Sequence, residues 1–195
     1  QGKKYPVELL YKDDGGYATM RLLWETPYGV SEVVPTAQLY AAENKPDIIP
    51  NAVGTGTGLS GEYFNDSELK TSALKRVDPT INFCWEYGSP DPRLGADKYS
   101  ARWTGKLEPR YSGTYTFTTK TDDGVRLWVN GKKIIDDWNS RPLKTNTGTV
   151  DLIAGQKADI VMEYFDDSGY ATSRLYWTTP YGVTGFVPQS QMYTR

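Results

Sequence analysis

The chain contains one segment twice, and the spacing of the copies restricts the folds open to it. Residues 11–40, YKDDGGYATMRLLWETPYGVSEVVPTAQLY, align without gaps with residues 164–193, YFDDSGYATSRLYWTTPYGVTGFVPQSQMY, at 19 of 30 positions. The offset is 153 residues, far beyond the roughly 20–50 residues of a solenoid repeat. The repeat therefore reads as domain duplication. Residues 1–40 are expected to be the C-terminal quarter of a preceding domain, 41–57 a linker rich in Pro, Gly and Thr, and 58–195 a complete domain. An orphan set of strands exposes unpaired edges and a bare apolar face. Residues 1–40 are thus expected to associate with upstream strands on a separate or clipped chain, or to pack on the second domain.

Strand signals recur along the chain with turn residues between them. Tyr115 and Phe117 alternate with threonines, and Val125, Leu127 and Val129 alternate with Arg126, Trp128 and Asn130. Ile160, Met162 and Tyr164 alternate with Asp159, Val161 and Glu163, and Leu175 and Trp177 with Arg174 and Tyr176. Asn130-Gly131 predicts a type I′ hairpin turn leading into Lys132–Asp137. Further strands are expected over 59–64, 81–87, 99–108, 147–153 and 187–193. The sum is an all-β chain, an antiparallel sandwich or squat barrel of about ten strands. Helix is expected only as a turn or two, at Ser67–Lys70 or Pro188–Met192.

Composition removes whole classes of chemistry. With no histidine there is no Ser-His-Asp or Cys-His machinery and no imidazole metal ligand. One cysteine, Cys84, forms no internal disulfide and no thiolate cluster; its place among apolar residues predicts a buried thiol. Any metal must be held by oxygen, which favours Ca²⁺ or Mg²⁺. A net charge of −2 without a long basic run argues against nucleic acid as a partner. No stretch approaches the roughly 20 apolar residues of a membrane span, and no signal peptide is visible in residues 1–10, so the segment reads as a mature or excised fragment.

Five blocks occur in one order: Gly58-Leu-Ser-Gly-Glu-Tyr-Phe64, Tyr99-Ser-Ala-Arg-Trp-Thr-Gly105, Gly113-Thr-Tyr-Thr-Phe117, Thr121-Asp-Asp-Gly-Val-Arg-Leu-Trp-Val-Asn-Gly131, and Glu163-Tyr164 closing on Leu175-Tyr-Trp177. In these blocks the chain resembles the PA-fourteen domain family over about 58–195, and residues 1–40 match the family's last quarter. The resemblance implies a β-sandwich found outside cells, at the cell surface or in secreted proteins. Members are inserted in glycosidases, head fungal adhesins, and occur in bacterial surface and sensory proteins, including anti-sigma factors that sense plant polysaccharide. Several are calcium-dependent lectins; others are largely structural.

In the lectin-like members two adjacent aspartates joined by a cis peptide hold a calcium ion that binds sugar hydroxyls. The resemblance carries that role to Asp122 and Asp123. A divalent cation offsets the repulsion of adjacent carboxylates, and vicinal hydroxyls can replace two waters on seven- or eight-coordinate Ca²⁺. The other reading is an Asp-Asp-Gly turn that needs no metal. The family's later loop supplies an Asn oxygen and a backbone carbonyl. Here Asp166 stands at the Asn position, Asp167 follows it, and the carbonyl is expected near Gly169 or Tyr170. Asp13, Asp14 and Tyr17 recur at the matching places of the first copy.

Aromatic rings stack on the C–H faces of sugars. Trp138 and Tyr170 are the candidates for such a platform, with Tyr181 also on or near a loop; Trp85, Trp103 and Trp177 are expected in the core. Arg126 and Arg174 offer a uronate contact or simply a solvated strand face. The turn-rich loop 88–97 carries either binding function or a plain connection, and Asn65-Asp66-Ser67 is a glycosylation sequon. The expected activity is non-catalytic binding of a polysaccharide or glycan, assisted by calcium. The alternative is a structural or protein-interaction domain. A glycosidase needs two carboxylates across a cleft, which adjacent aspartates on a turn do not provide.

Overall fold

The structure, a computed structural model, describes residues 54–194 and, before them, residues 7, 9, 20–25, 29 and 31–34. The chain divides into two units, Gln1–Lys45 and Pro46–Arg195. In the first, β1 (Leu23–Glu25) and β2 (Ser31–Val33) form an antiparallel hairpin that pairs Leu23 with Val33, Trp24 with Glu32 and Glu25 with Ser31. Asp13, Asp14, Tyr17 and linker residues 41–53 lie outside the described residues.

The second unit holds β3 (Leu59–Phe64), β4 (Ser72–Asp78), β5 (Asn82–Glu86), β6 (Tyr99–Leu107), β7 (Gly113–Asp122), β8 (Gly124–Val129), β9 (Lys132–Asp137), β10 (Lys144–Leu152), β11 (Ala158–Asp166), β12 (Ala171–Thr178), β13 (Thr184–Phe186) and β14 (Met192–Tyr193). One turn of 3-10 helix, Gln189–Gln191, precedes β14. Ser67–Lys70 is a turn instead, because the Asp66 carboxylate accepts the Glu68, Lys70 and Thr71 N–H groups.

Every pair is antiparallel, and the strands form two sheets. The seven-stranded sheet runs β4-β3-β6-β11-β8-β9, with β14 on β6. The five-stranded sheet runs β10-β7-β12-β13, with β5 on the free part of β12. The period-2 pattern sends Tyr115 and Phe117 from β7, Leu175 and Trp177 from β12, and Trp103, Leu127, Ile160 and Met162 from the opposite sheet into one core. Asn130 and Gly131 take φ of 51° and 76°, the left-handed pair that a type I′ turn demands.

Two expectations need correction. Cys84 is exposed, not buried. Phe83 and Trp85 take the inward positions and stack at 5.0 Å, which leaves the intervening thiol on the outer face opposite Thr172. The strand count is twelve in the second unit, where about ten were expected, and β4 was not expected. Its inward residues include Arg76 and Asp78, so its binary pattern looks polar. Asp78 is buried and accepts hydrogen bonds from Tyr63 Oη (2.6 Å), Trp103 Nε1 (2.7 Å) and Arg76 Nε (2.7 Å), which satisfies a charge the core would otherwise exclude.

The hairpin β1–β2 matches β12–β13 in register as well as in sequence. Adding the 153-residue offset to Leu23↔Val33 gives Tyr176↔Phe186, which is the observed pair. Burial differs. Trp177 is 5% exposed, against Tyr115 and Phe117 at 5.1 and 6.2 Å. Its counterpart Trp24 is 37% exposed and donates Nε1–H to Glu32.

Candidate functional site

Four chain crossings between the sheets meet at one end of the sandwich. β5 passes to β6 through residues 87–98, β7 to β8 through Asp123, β9 to β10 through 138–143, and β11 to β12 through 167–170. The register fixes this convergence: Asp122 pairs with Thr172, Glu86 with Ala171, Tyr99 with Asp166, and Lys144 with Thr121. Residues distant in sequence, Asp97, Asp122, Asp123, Asp166 and Asp167, are thereby brought to the same corner.

Asp122 ends β7, Asp123 is the crossing, and the peptide between them is cis. Gly124 follows where a Cβ would run into the Phe165 ring and the Asn139 backbone, so only glycine fits. Asp123 is 3% exposed. Its Oδ1 accepts from Arg141 N (2.5 Å) and Ser140 Oγ (3.2 Å), and its Oδ2 from Asp167 N (2.8 Å). The carboxylate thus ties two crossings together. Asp122 anchors through its carbonyl, which accepts from Tyr164 Oη at 2.5 Å. Burial and the neighbouring Asp123 charge push its carboxyl pKa up.

Asp166 is the anomaly. It ends β11 with no solvent exposure, and neither carboxyl oxygen has a hydrogen-bond partner. Tyr99 and Tyr164 lie within electrostatic reach of it and pack with Trp85, ring centroids 5.7–6.3 Å apart. Burial, and then the charges of Asp123, Asp97, Asp122 and Asp167, raise its pKa to about 7. A buried, unpaired carboxyl with four other carboxyls within electrostatic reach has the chemistry that would suit a bound cation. Among the described residues no three carboxylate or thiol side chains are placed so that together they could hold a metal ion; like charges keep carboxylates apart. The all-oxygen donor set suits Ca²⁺ rather than a transition metal.

The remaining predicted residues divide. Asp167 and Tyr170 lie in the same crossing as Asp166, with Gly169 (φ 93°) between them donating N–H to Asp97 Oδ1 at 2.8 Å. Tyr170 is 40% exposed, and its hydroxyl lies 2.9 Å from Cys84 Sγ. Trp138 sits on the flank, half-buried, with Phe165 at 4.7 Å and the Arg126 guanidinium 3.9 Å above its ring. Arg126 and Arg102 both pair with Glu163, at 2.7 and 2.8 Å, which commits Arg126 to a strand-face network. Tyr181 lies at the far end of β12 against Tyr111 (4.9 Å) and is not brought to the corner. Trp103 and Trp177 are core, as expected, and Trp85 is half-buried against it.

Sequence reasoning missed Asp97 and Arg141. Asp97 closes the turn-rich loop already noted, but nothing local aims it at Asp166. Arg141 offers its backbone N–H to Asp123 while its guanidinium clamps Asp137 Oδ2 (2.9 Å) and the Thr121 carbonyl (2.6 Å).

The domain model described as "PA14 domain" matches residues 56–190. The chain belongs to the PA14 domain family. It is 48% identical over 140 residues, 72% of its length, to the anti-sigma-I factor RsgI3 of Acetivibrio thermocellus, and spans 22% of that relative. A solved anti-sigma factor domain-containing protein from Clostridium clariflavum superposes with a TM-score of 0.70 at 35% identity, covering 90% of this chain and 60% of its own. A PA14 sugar-binding domain from an RTX adhesin shares the fold at TM-score 0.61 and 18% identity, over 72% of this chain and 99% of its own.

Proposed function

We propose that residues 58–195 form a non-catalytic, calcium-assisted carbohydrate-binding module that recognises an extracellular polysaccharide. The observation that carries this reading is Asp166, fully buried, with both oxygens unpartnered and four carboxyls around it. Asp122, Asp123 and Asp166 would hold the ion, with Asp167 and Asp97 beside them. A bound Ca²⁺ supplies open coordination positions for vicinal sugar hydroxyls. The protein's own part is to fix the corner. The Arg141 and Asp167 N–H groups and the Ser140 hydroxyl hold the Asp123 carboxylate, and Tyr164 holds the Asp122 backbone, so this part of the corner is fixed before any ligand arrives. A sugar-binding PA14 domain in an adhesin supports the ligand class, and the anti-sigma factor relatives support a sensing role in a larger protein.

A glycosidase reading fits poorly even though the raised pKa of Asp166 is one mark of a catalytic acid. A general acid must reach the glycosidic oxygen, and Asp166 has no exposed surface. The proposal extends to residues 1–40 as the last strands of a second PA14 unit, supported by the shared hairpin register and by the C. clariflavum alignment. Affinity gels cast with soluble polysaccharides, run with Ca²⁺ and with chelator, test the function. Calcium-dependent retardation that is lost in Asp166→Asn supports it. Absence of retardation on neutral and uronate polymers alike favours the structural alternative.

A further inference from the structure

We infer that Tyr87 and Tyr170 form a second saccharide subsite beside the aspartates, so that the ligand is a chain of at least two sugar units rather than a terminal monosaccharide. The inference rests on the proposed carbohydrate reading and adds a specificity determinant to it. Tyr87 is 77% exposed and contributes nothing to the core. Its ring stands perpendicular to Tyr170, at 87° and 5.8 Å between centroids. The two tyrosines come from different crossings, and the Glu86↔Ala171 pair puts them side by side.

Two features hold the pair out in solvent. Glu86 has φ 57°, a left-handed conformation that non-glycine residues rarely adopt, and Gly88 N–H closes the turn on the Trp85 carbonyl at 2.9 Å. That backbone turns the chain out of β5 at Tyr87. Tyr170 is pinned from the other side, by Cys84 at its hydroxyl and by the Gly169–Asp97 hydrogen bond just before it. Two large rings with restricted rotamers, in water and against each other, give stacking area at small entropic cost.

Position decides what the pair can do. Tyr170 is three residues from Asp167, at most about 11 Å along an extended chain. A sugar held at the aspartates by its hydroxyls would therefore extend its neighbouring unit over the tyrosines. Hydroxyl capture at one unit and C–H stacking at the next select a pyranose polymer with an apolar face. The exposed Cys84 thiol and the Tyr87 edge border the same platform, and the Glu86 and Arg174 charges lie within electrostatic reach of Tyr170.

The test uses the full chain with Tyr87→Ala. Gels of polygalacturonate, galactomannan and xyloglucan identify the polymer that retards the wild type in Ca²⁺. Calorimetry then measures that polymer's oligosaccharide, its monosaccharide, and Ca²⁺ alone. Tyr87→Ala is expected to weaken the oligosaccharide roughly tenfold, while monosaccharide and Ca²⁺ affinities and the melting temperature stay unchanged. Equal oligosaccharide affinity in Tyr87→Ala and wild type overturns the subsite and leaves the calcium reading standing. A wild type that binds no polymer overturns both.

Discussion

Replacing Asp166 with Asn changes one charge and almost no volume at the acidic end of the sandwich. In the metal-free protein the wild-type carboxyl is buried without partners, and its pKa rises from 3.8 to about 7. The folded chain therefore keeps a proton that the unfolded chain releases across this window. Stability attached to Asp166 is complete below pH 4, falls as pH rises to about 7, and is flat above. A shift of about 3 units corresponds to at most about 4 kcal/mol, since each unit is about 1.4 kcal/mol. Asn has no proton to lose. Urea denaturation in chelator is expected to show Asp166→Asn near wild type at pH 4. The variant then gains about 1.4 kcal/mol per pH unit, reaching up to about 4 kcal/mol more stable at pH 8. Millimolar Ca²⁺ reverses the order, because ligand binding stabilises only the protein that holds it. A variant less stable than wild type at pH 8 in chelator, or a difference that does not vary with pH, refutes the reasoning.

Other perturbations separate fold from site. Trp177→Ala removes a ring packed on Tyr115 and Phe117 and should cost about 3–5 kcal/mol in urea melts, whereas exposed Trp24→Ala should cost under about 1 kcal/mol. Glu163→Gln leaves Arg102 and Arg126 side by side without their shared carboxylate. It should cost about 3 kcal/mol in the same melts with no change in calcium affinity. Gly124→Ala drives a methyl into Phe165 and Asn139 and should lower stability by about 1–3 kcal/mol, read as a lower melting temperature.

Much of the sandwich was legible because its faces obey period 2. Tyr115/Phe117, Val125/Leu127/Val129 and Leu175/Trp177 point where alternation puts them. The rule failed where the interior holds charge, as in β4 with Arg76 and Asp78, and where a thiol looked apolar by company, as at Cys84. The Asp122-Asp123 corner and the Asp166 loop were legible as motifs through a family resemblance. Their environment was not. Burial of Asp166, the approach of Asp97 and the hold of Arg141 on Asp123 arise from register between strands far apart in sequence, which no local pattern encodes. Tyr87 was hidden for the same reason: only the Glu86↔Ala171 pairing sets it beside Tyr170.

Calorimetric titration of the chain with Ca²⁺ at pH 7.5, beside Asp166→Asn, tests the central claim most directly. Saturable calcium binding with proton release is expected of the wild type, and its loss in the variant. Wild-type binding unchanged by Asp166→Asn, or no calcium binding in a folded wild type, would contradict it.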